Sequence, residues 1–171
     1  MIPQLETDRL LLRAHRVDDF SECAMMWGDP VVTRHIGGRP FTGEEVWSRL
    51  LRYVGHWQLL GYGYWIIHER ASGLFVGEVG FADFHRDISP PLAAPEIGWA
   101  LAAWAHGRGM ATEAVRAALA WGDANLPSPR TVCIIDPDNS ASRRVAQKCG
   151  YRETARTLYK GSPTILYERA P

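Results

Sequence analysis

The sequence is poor in the features that mark disulfide-rich or metal-binding proteins. It has three cysteines, Cys23, Cys133 and Cys149, an odd number placed far apart, so neither a disulfide framework nor a zinc-type spacing is indicated. Its six histidines include no pair four residues apart and no His-Glu-x-x-His motif. We therefore expect reduced, mostly buried thiols and no metal site.

Long apolar runs and net charge are also missing. No apolar stretch has the length that a bilayer-spanning helix needs, and the first residues lack the basic-then-apolar pattern of a secretion signal. Lys plus Arg and Asp plus Glu number 19 each, so no overall positive field favours nucleic acid. These absences predict a cytoplasmic protein with neither a membrane nor a nucleic acid as partner.

The residues that are present predict one mixed α/β domain over residues 1–171. The chain is 46% hydrophobic and 22% charged, the balance of a globular protein with a sizeable core. Thr42 followed by Glu45 predicts a capping box at the start of a helix. Tyr64 to His68 and Leu74 to Phe84 predict a β-hairpin, and Asn139 predicts the N-cap of a late helix.

One strand, turn and helix organise the chain. Pro95 to Leu101 predicts an apolar strand, Ala102 to Gly107 is a turn crowded with small residues, and an amphipathic helix begins in the residues from Arg108 to Val115. Gly107 and Gly109 permit unusual dihedral angles, and the first helical turn offers unpaired amides at the positive end of the helix dipole. The junction therefore predicts a phosphate or pyrophosphate site, with an ordinary strand–turn–helix unit as the alternative.

Glu96 is the leading candidate for a catalytic base. Alternation along the strand places Glu96, Gly98 and Ala100 on one face and Ile97 on the other. A carboxylate beside small residues, at the start of a semi-apolar strand, can take a proton through water. A structural carboxylate, or one that recognises a positively charged amine, is the alternative.

Several ordered motifs resemble the GNAT superfamily of acyl-CoA N-acyltransferases. The run from His106 to Ala111 is similar to its pyrophosphate signature, Gln/Arg-x-x-Gly-x-Gly/Ala, with Gly109 and Ala111 on the small positions and His106 where Gln or Arg is usual. Leu5 to Arg13, Asp136 to Ser142 and Lys148 to Tyr151 resemble the branch of ribosomal-protein N-terminal acetyltransferases. The resemblance covers nearly the whole chain and implies a single N-acetyltransferase domain with a central mixed, mostly antiparallel sheet flanked by helices.

The resemblance also implies site residues. Those implied to bind acetyl-CoA, the co-substrate, are Trp99, Ala100, Leu101, His106, Gly107, Arg108, Gly109, Met110, Ala111, Thr112, Asn139 and Ser142. Glu96 matches a strand glutamate that serves as base, and Ser142 matches a serine near the thiol, although Asn139 and Ser142 can equally be helix-capping residues. Ala146 stands where many members carry a tyrosine acid, and a bulge near Gly98 would let the strand pair with the pantetheine arm.

The predicted function is transfer of an acetyl group from acetyl-CoA to a primary amine by direct attack in a ternary complex. The amine is a protein N-terminus or a small molecule. Residues 34–41 and 85–94 are expected to form the walls of the site that binds it. The alternative is a non-catalytic acyl-CoA sensor. The P-loop sequence is absent, which disfavours a nucleotide-binding protein of that kind. A monomer and a homodimer are both compatible with the sequence.

Overall fold

A computed structural model describes residues 1–170 of the chain, which form a single mixed sheet with helices on both faces. The strands are β1 (Leu5–Glu6), β2 (Leu10–Arg13), β3 (Tyr64–Glu69), β4 (Phe75–Ala82), β5 (Glu96–Leu101), β6 (Thr131–Ile135), β7 (Arg152–Tyr159) and β8 (Ser162–Arg169). The α-helices are α1 (Phe20–Trp27), α2 (Pro30–Thr33), α3 (Gly43–Leu60), α4 (Met110–Asn125) and α5 (Ser140–Lys148). The predicted fold class is confirmed.

The strand order is β1-β2-β3-β4-β5-β6-β8-β7. β5 and β6 pair in parallel, and the other neighbours pair antiparallel. The parallel pair arises because α4 carries the chain from the end of β5 back to the start of β6, as a crossover connection must. Two antiparallel halves therefore meet at β5 and β6.

Local capping chemistry sets the helix boundaries. Thr42 and Glu45 form the expected reciprocal capping box of α3, with the Thr42 hydroxyl accepting from the Glu45 amide at 3.2 Å and the Glu45 carboxylate accepting from the Thr42 amide at 2.8 Å. Gly61 ends α3 in the left-handed region at φ +76°. Asn139 caps α5 as predicted, and Gly150 follows that helix at φ +89°.

Two short elements escaped the sequence prediction, and one hairpin is longer than expected. Strand β1 and helix α2 are too short for a periodic pattern to show. The Asp29 carboxylate accepts from the Val31 amide at 2.8 Å and so caps the start of α2. β7 and β8 extend to a tight turn at Lys160 and Gly161, which both have positive φ.

Each face of the sheet carries its own hydrophobic cluster. α4 packs on one face, where Ala114 and Ala118 are fully buried and a Cβ at Gly122 would lie 2.8 Å from the Phe81 ring. This close approach confirms the prediction that the small-residue face of α4 lies against the sheet. α1, α2 and α3 cover the other face.

The cysteines are free thiols, and all three are buried, as the sequence predicted. Within residues 1–170, no helix combines the length and the apolarity that crossing a bilayer would require.

Candidate active site

A cavity of about 490 Å³ opens where β5 and β6 separate. The two strands pair at Glu96 and Val132, and within residues 1–170 their pairing extends no further. The β6-facing edge of β5 from Ile97 to Ala100 is therefore left without a strand partner, and this part of β5 lines the cavity. An unpaired strand edge offers main-chain donors and acceptors to an extended, amide-bearing ligand.

Gly98 has a different role from the predicted bulge. The β4–β5 register runs without interruption from Gly77 opposite Leu101 to Ala82 opposite Glu96, so the bulge prediction is wrong for residues 77–101. A Cβ at Gly98 would collide with the hydroxyl of Tyr64. The glycine therefore makes room for a buried phenol from β3 at the cavity wall.

The turn before α4 presents free backbone amides. Gly107 and Gly109 adopt left-handed dihedrals at φ +73° and +76°, and Gly109 is the N-cap of α4 without a side-chain cap. The amides from Gly107 to Thr112 have no hydrogen-bond acceptor among the described residues. Nothing lies within 4 Å of a Cβ built on Gly107, so the space above these amides is open. This donor set suits a diphosphate.

Glu113 stabilises the same turn through Arg9. Its carboxylate accepts from the Thr7 hydroxyl at 2.6 Å and from Arg9 Nε at 2.7 Å, while Arg9 Nη1 donates to the Arg108 carbonyl at 2.9 Å. Partial burial opposes ionisation, but the Thr7 and Arg9 hydrogen bonds lower the pKa of Glu113 below its usual value. Sequence reasoning missed these contacts because Thr7 and Arg9 lie more than a hundred residues from Glu113.

His106 serves the end of β5 in this structure. Its Nε2 donates to the Leu101 carbonyl at 2.8 Å, which fixes the imidazole beside the turn. Leu101 is itself buried in the core on the α4 face and does not line the cavity as described over residues 1–170.

Asn139 and Ser142 line the cavity from the start of α5. The Asn139 side-chain oxygen accepts from the Ser142 amide at 3.1 Å, so the capping interpretation of Asn139 is correct. Its Nδ2 donors and the Ser142 hydroxyl have no partner within residues 1–170 and remain available at the cavity. Ala146 is fully buried one turn further along.

Glu96 is buried at the cavity wall and paired with Arg86. Arg86 Nε and Nη2 donate to the two carboxylate oxygens at 2.7 and 2.8 Å, and Arg86 Nη1 donates to the Tyr159 hydroxyl at 3.1 Å. Burial alone would lower the pKa of Arg86, but the Glu96 carboxylate raises it above its usual value. The sequence did not reveal this pair, because Arg86 lies in a segment that could be predicted only as a loop.

The acceptor side of the cavity is lined by aromatic rings and by Arg49. The aromatic residues are Trp27, Phe41, Tyr53, Tyr64, Phe84 and Tyr159. Residues 34–41 supply a wall as predicted, whereas in segment 85–94 only Arg86 faces this cavity. A second cavity of about 360 Å³ is lined in part by residues of that segment, namely His85, Arg86, Pro91, Leu92 and Ala94.

Glu78 closes the cavity floor in a buried hydrogen-bond network. Its carboxylate bonds His15 Nε2 at 2.7 Å, Trp27 Nε1 at 2.8 Å and Cys23 Sγ at 3.4 Å. His15, Cys23 and Glu78 have the donor types of a metal site and lie within 4.8 Å of one another. Burial and the Glu78 charge raise the pKa of the Cys23 thiol, which disfavours the thiolate that a metal needs.

The structure thus sorts the predicted site residues into two neighbouring groups. Those that share the cavity are Glu96, Trp99, Ala100, Asn139 and Ser142. The residues from His106 to Thr112, including Arg108, Met110 and Ala111, form the turn and first helical residues that follow β5. Tyr64, Arg86 and Arg49 are cavity residues that the sequence did not single out.

Comparison with known proteins identifies the family. The protein-family model described as the acetyltransferase (GNAT) domain matches residues 9–152 of the sequence. The uncharacterised protein YkkB of Bacillus subtilis is 32% identical over 97% of this chain and 95% of its own length. A structure described as a GNAT-family acetyltransferase from Bordetella pertussis is 32% identical, with a TM-score of 0.86 over 98% of this chain and 99% of its own.

More distant structures share the fold. RimL, a ribosomal-protein acetyltransferase solved in complex with coenzyme A, is 18% identical, with a TM-score of 0.79 over 98% of each chain. The family match covers most of the sequence and contains the free-amide turn and most of the residues that line the cavity. The chain belongs to the GNAT family of acetyltransferases.

Proposed function

We propose that this acetyltransferase moves an acetyl group from acetyl-CoA to a primary amine by direct attack in a ternary complex. The observation that carries the proposal is that the unpaired edge of β5 lines the cavity, and that the same strand leads through the turn at residues 102–109 to the free amides that begin α4. A distant structural neighbour, RimL, is solved with coenzyme A, which supports the choice of donor.

The chain offers a matching group for each part of the acyl donor. The amides from Gly107 to Thr112 and the positive end of the α4 dipole bind the diphosphate. The free edge of β5 around Trp99 hydrogen-bonds the amide-containing arm, and Asn139 Nδ2 adds a donor from α5. These contacts hold the thioester at the cavity, where positioning contributes several kcal/mol to the rate.

Glu96 takes the proton that the amine must lose. Each of its carboxylate oxygens accepts one N–H from Arg86 and keeps a lone pair for a bridging water. Arg86 also fixes the carboxylate at the wall, since the two donors hold it in one orientation. The neutral amine then attacks the thioester carbonyl, and the second proton that its nitrogen loses as the amide forms neutralises the departing thiolate.

Ser142 stabilises the leaving group. A carbon–nitrogen bond forms as the carbon–sulfur bond breaks, and the electron pair of that bond leaves on sulfur. The Ser142 hydroxyl, which has no partner among the described residues, donates a hydrogen bond to that thiolate. Ala146 cannot contribute a proton because its side chain has no polar atom and is fully buried.

Titration calorimetry with acetyl-CoA, followed by turnover assays on a panel of amines, tests the proposal. We expect binding well below about 1 mM and release of free coenzyme A in the presence of an amine. The Gly109→Ala variant should bind acetyl-CoA at least about tenfold more weakly, because a left-handed alanine costs about 1–2 kcal/mol and so favours a different turn that no longer presents these amides together.

Gly61→Ala is the matched control. Gly61 has the same φ of +76° and ends α3, so Gly61→Ala carries the same backbone strain without a ligand. A Cβ at Gly61 would have no neighbour within 4 Å, and one at Gly109 would lie 3.5 Å from Arg9 Nη2, which is an ordinary van der Waals contact. Equal acetyl-CoA affinity in the two variants would show that the α4 turn is not the phosphate site. Absence of binding at millimolar acetyl-CoA would overturn the function itself.

An acyl-CoA sensor without turnover is the second candidate. Two observations favour it: Ala146 supplies no acid, and Arg86 engages the carboxylate of Glu96. Tight acetyl-CoA binding with no product from any amine would select the sensor.

A further inference from the structure

Arg49 is a cavity-facing cation whose hydrogen-bonding capacity is mostly unused. It extends from α3, and its guanidinium carbon lies 4.2 Å from the Trp27 ring centroid and 4.8 Å from that of Phe41. Its Nη1 donates to the Tyr53 hydroxyl at 2.9 Å. Within residues 1–170 no carboxylate forms an ion pair with it, so most of its five N–H donors have no acceptor.

The other charges that line the cavity already have partners or lie at its rim. Glu96 is paired with Arg86, and a carboxylate oxygen of Asp136 lies 3.5 Å from His35 Nδ1. Arg34 and Lys160 are exposed cations at the rim, and neither forms an ion pair with any described residue.

Glu78 is the carboxylate that most directly affects Arg49, but it does not satisfy it. Burial raises the pKa of Glu78. The hydrogen bond and charge of His15 lower it most strongly, and the positive charge of Arg49 lowers it further. The Glu78 oxygens are taken by His15, Trp27 and Cys23, and no hydrogen bond between Glu78 and Arg49 occurs among the described residues. The outward N–H groups of Arg49 therefore face the cavity.

A bound carboxylate matches this arrangement. The planar guanidinium binds carboxylates through two parallel hydrogen bonds, and its contacts with the Trp27 and Phe41 rings hold it at the cavity wall. The aromatic walls suit an apolar body next to that carboxylate.

The amine end of such a molecule has a place on the same wall. The Tyr64 ring stacks on Tyr53 with centroids 4.0 Å apart, and its hydroxyl reaches β5 at Gly98. Tyr53 is in turn the hydrogen-bond partner of Arg49. Arg49 and β5 are therefore linked along one wall of the cavity by two aromatic residues, Tyr53 and Tyr64, so a small molecule lying on this wall can contact both ends.

From this geometry we infer that the acceptor is a small primary amine that carries a carboxylate, an amino acid with an apolar side chain, and that Arg49 binds the carboxylate. The inference rests on the proposed acetyl transfer and names its substrate class. The same cations disfavour polyamines and aminoglycosides, since Arg34, Arg49 and Lys160 repel additional positive charge.

Matched acceptor sets test the inference. Each set compares an amino acid with its amide and with its decarboxylated amine, which keep the apolar body but lack the carboxylate. The sets are leucine, leucinamide and isoamylamine, and phenylalanine, phenylalaninamide and phenethylamine; spermidine completes the panel. For the wild type we expect kcat/KM for the amino acid to exceed that for its amide and decarboxylated amine by about 10- to 100-fold, the value of a charge-assisted hydrogen-bonded pair.

Arg49→Met should remove this preference, and Arg49→Lys should restore part of it. The lost factor should fall on kcat/KM for the amino acids, while the rates with carboxylate-free amines and the affinity for acetyl-CoA stay unchanged. Arg52→Met is the control, because Arg52 lies one turn further along α3 and stacks on Phe84 at 4.8 Å without lining the cavity as described.

The outcomes separate the inference from the proposed function. Failure of all carboxylate-bearing amines to react, or a preference for spermidine or the uncharged analogues, overturns the inference whether or not other amines are acetylated. An unchanged amino-acid preference in Arg49→Met also overturns it. Failure of acetyl-CoA to bind, measured separately by calorimetry, is the result that removes the acetyl transfer on which the inference rests.

Discussion

Glu96 and Asp19 are two buried carboxylates that arginine holds in the same way. Arg86 binds Glu96 through two nitrogens, and Arg13 binds Asp19 at 2.7 and 2.9 Å. Only Glu96 lines the described cavity, whereas Asp19 lies between β2 and α1. Comparing substitutions at these two carboxylates therefore allows a catalytic role to be separated from a structural one.

Replacing Glu96 by Gln should lower kcat by about 100-fold or more, the usual contribution of a general base, because the amide keeps the shape but cannot take a proton. The affinity for acetyl-CoA should be unchanged. Steady-state kinetics with any amine that reacts, together with calorimetry, measure the two effects.

Asp19→Asn is the matched control for this substitution. It breaks an equally buried ion pair and should cost stability, about 3–5 kcal/mol by analogy with other broken buried pairs, without lowering kcat. If Glu96→Gln keeps the wild-type kcat, the Glu96–Arg86 pair is a structural wall of the cavity and another group takes the proton.

Asn139 is the N-cap of helix α5 and is also proposed to contact the acyl donor. The Asn139 oxygen caps the helix, while its Nδ2 group is free at the cavity. Asp caps helices as well as Asn does but has no side-chain donor, so substitution can separate the two roles.

Asn139→Asp should therefore keep the free energy of unfolding close to wild type and weaken acetyl-CoA binding. Asn139→Ala should weaken binding and also lose about 1 kcal/mol of stability with the cap. Urea denaturation and calorimetry are the measurements. Wild-type acetyl-CoA affinity in Asn139→Asp would show that Asn139 is a cap and no more.

The β5–β6 gap also belongs to the scale of the element. β5 is paired along its whole length with β4 but only at Glu96 with β6. A parallel pair that separates after one contact leaves an edge inside the protein, where a ligand rather than another strand can satisfy it. The site is therefore a property of two strands and not of one motif.

For the whole molecule, the buried carboxylates predict loss of stability in acid. Burial alone would raise the pKa values of Asp19 and Glu78, but hydrogen bonds from Arg13 and His15 keep both below their usual values. A carboxyl whose pKa is lower in the folded state stabilises the fold above its unfolded pKa, and that contribution is lost as pH falls through the folded pKa.

We therefore expect the thermal midpoint to be flat from pH 7 to about pH 5 and to fall steeply below about pH 4, where the unfolded carboxyls bind protons. The 19 Lys and Arg residues then lose their acidic counterparts, and charge repulsion adds to the loss. Calorimetry across this range, with Asp19→Asn showing a shallower fall, checks the prediction. A midpoint that is unchanged at pH 3 would contradict it.

The sequence by itself determined the elements whose signals are local. The capping box at Thr42, the Asn139 cap, the strand from Thr131 to Ile135 and the alternation of Glu96 with Ile97 were all readable, because each depends on residues a few positions apart. The geometry of the turn before α4 was readable for the same reason, since two glycines before a helix set it locally.

Only the tertiary structure decided which charges meet. Such contacts join residues from different elements, and no spacing in the sequence encodes them. They are the ion pairs of Arg86 with Glu96 and of Arg9 with Glu113, and the stack of Tyr53 on Tyr64 beside Arg49. Gly98 shows the same limit, because the need for glycine comes from a tyrosine on β3. Side-chain contacts across a sheet depend on strand order and register, which long-range packing sets.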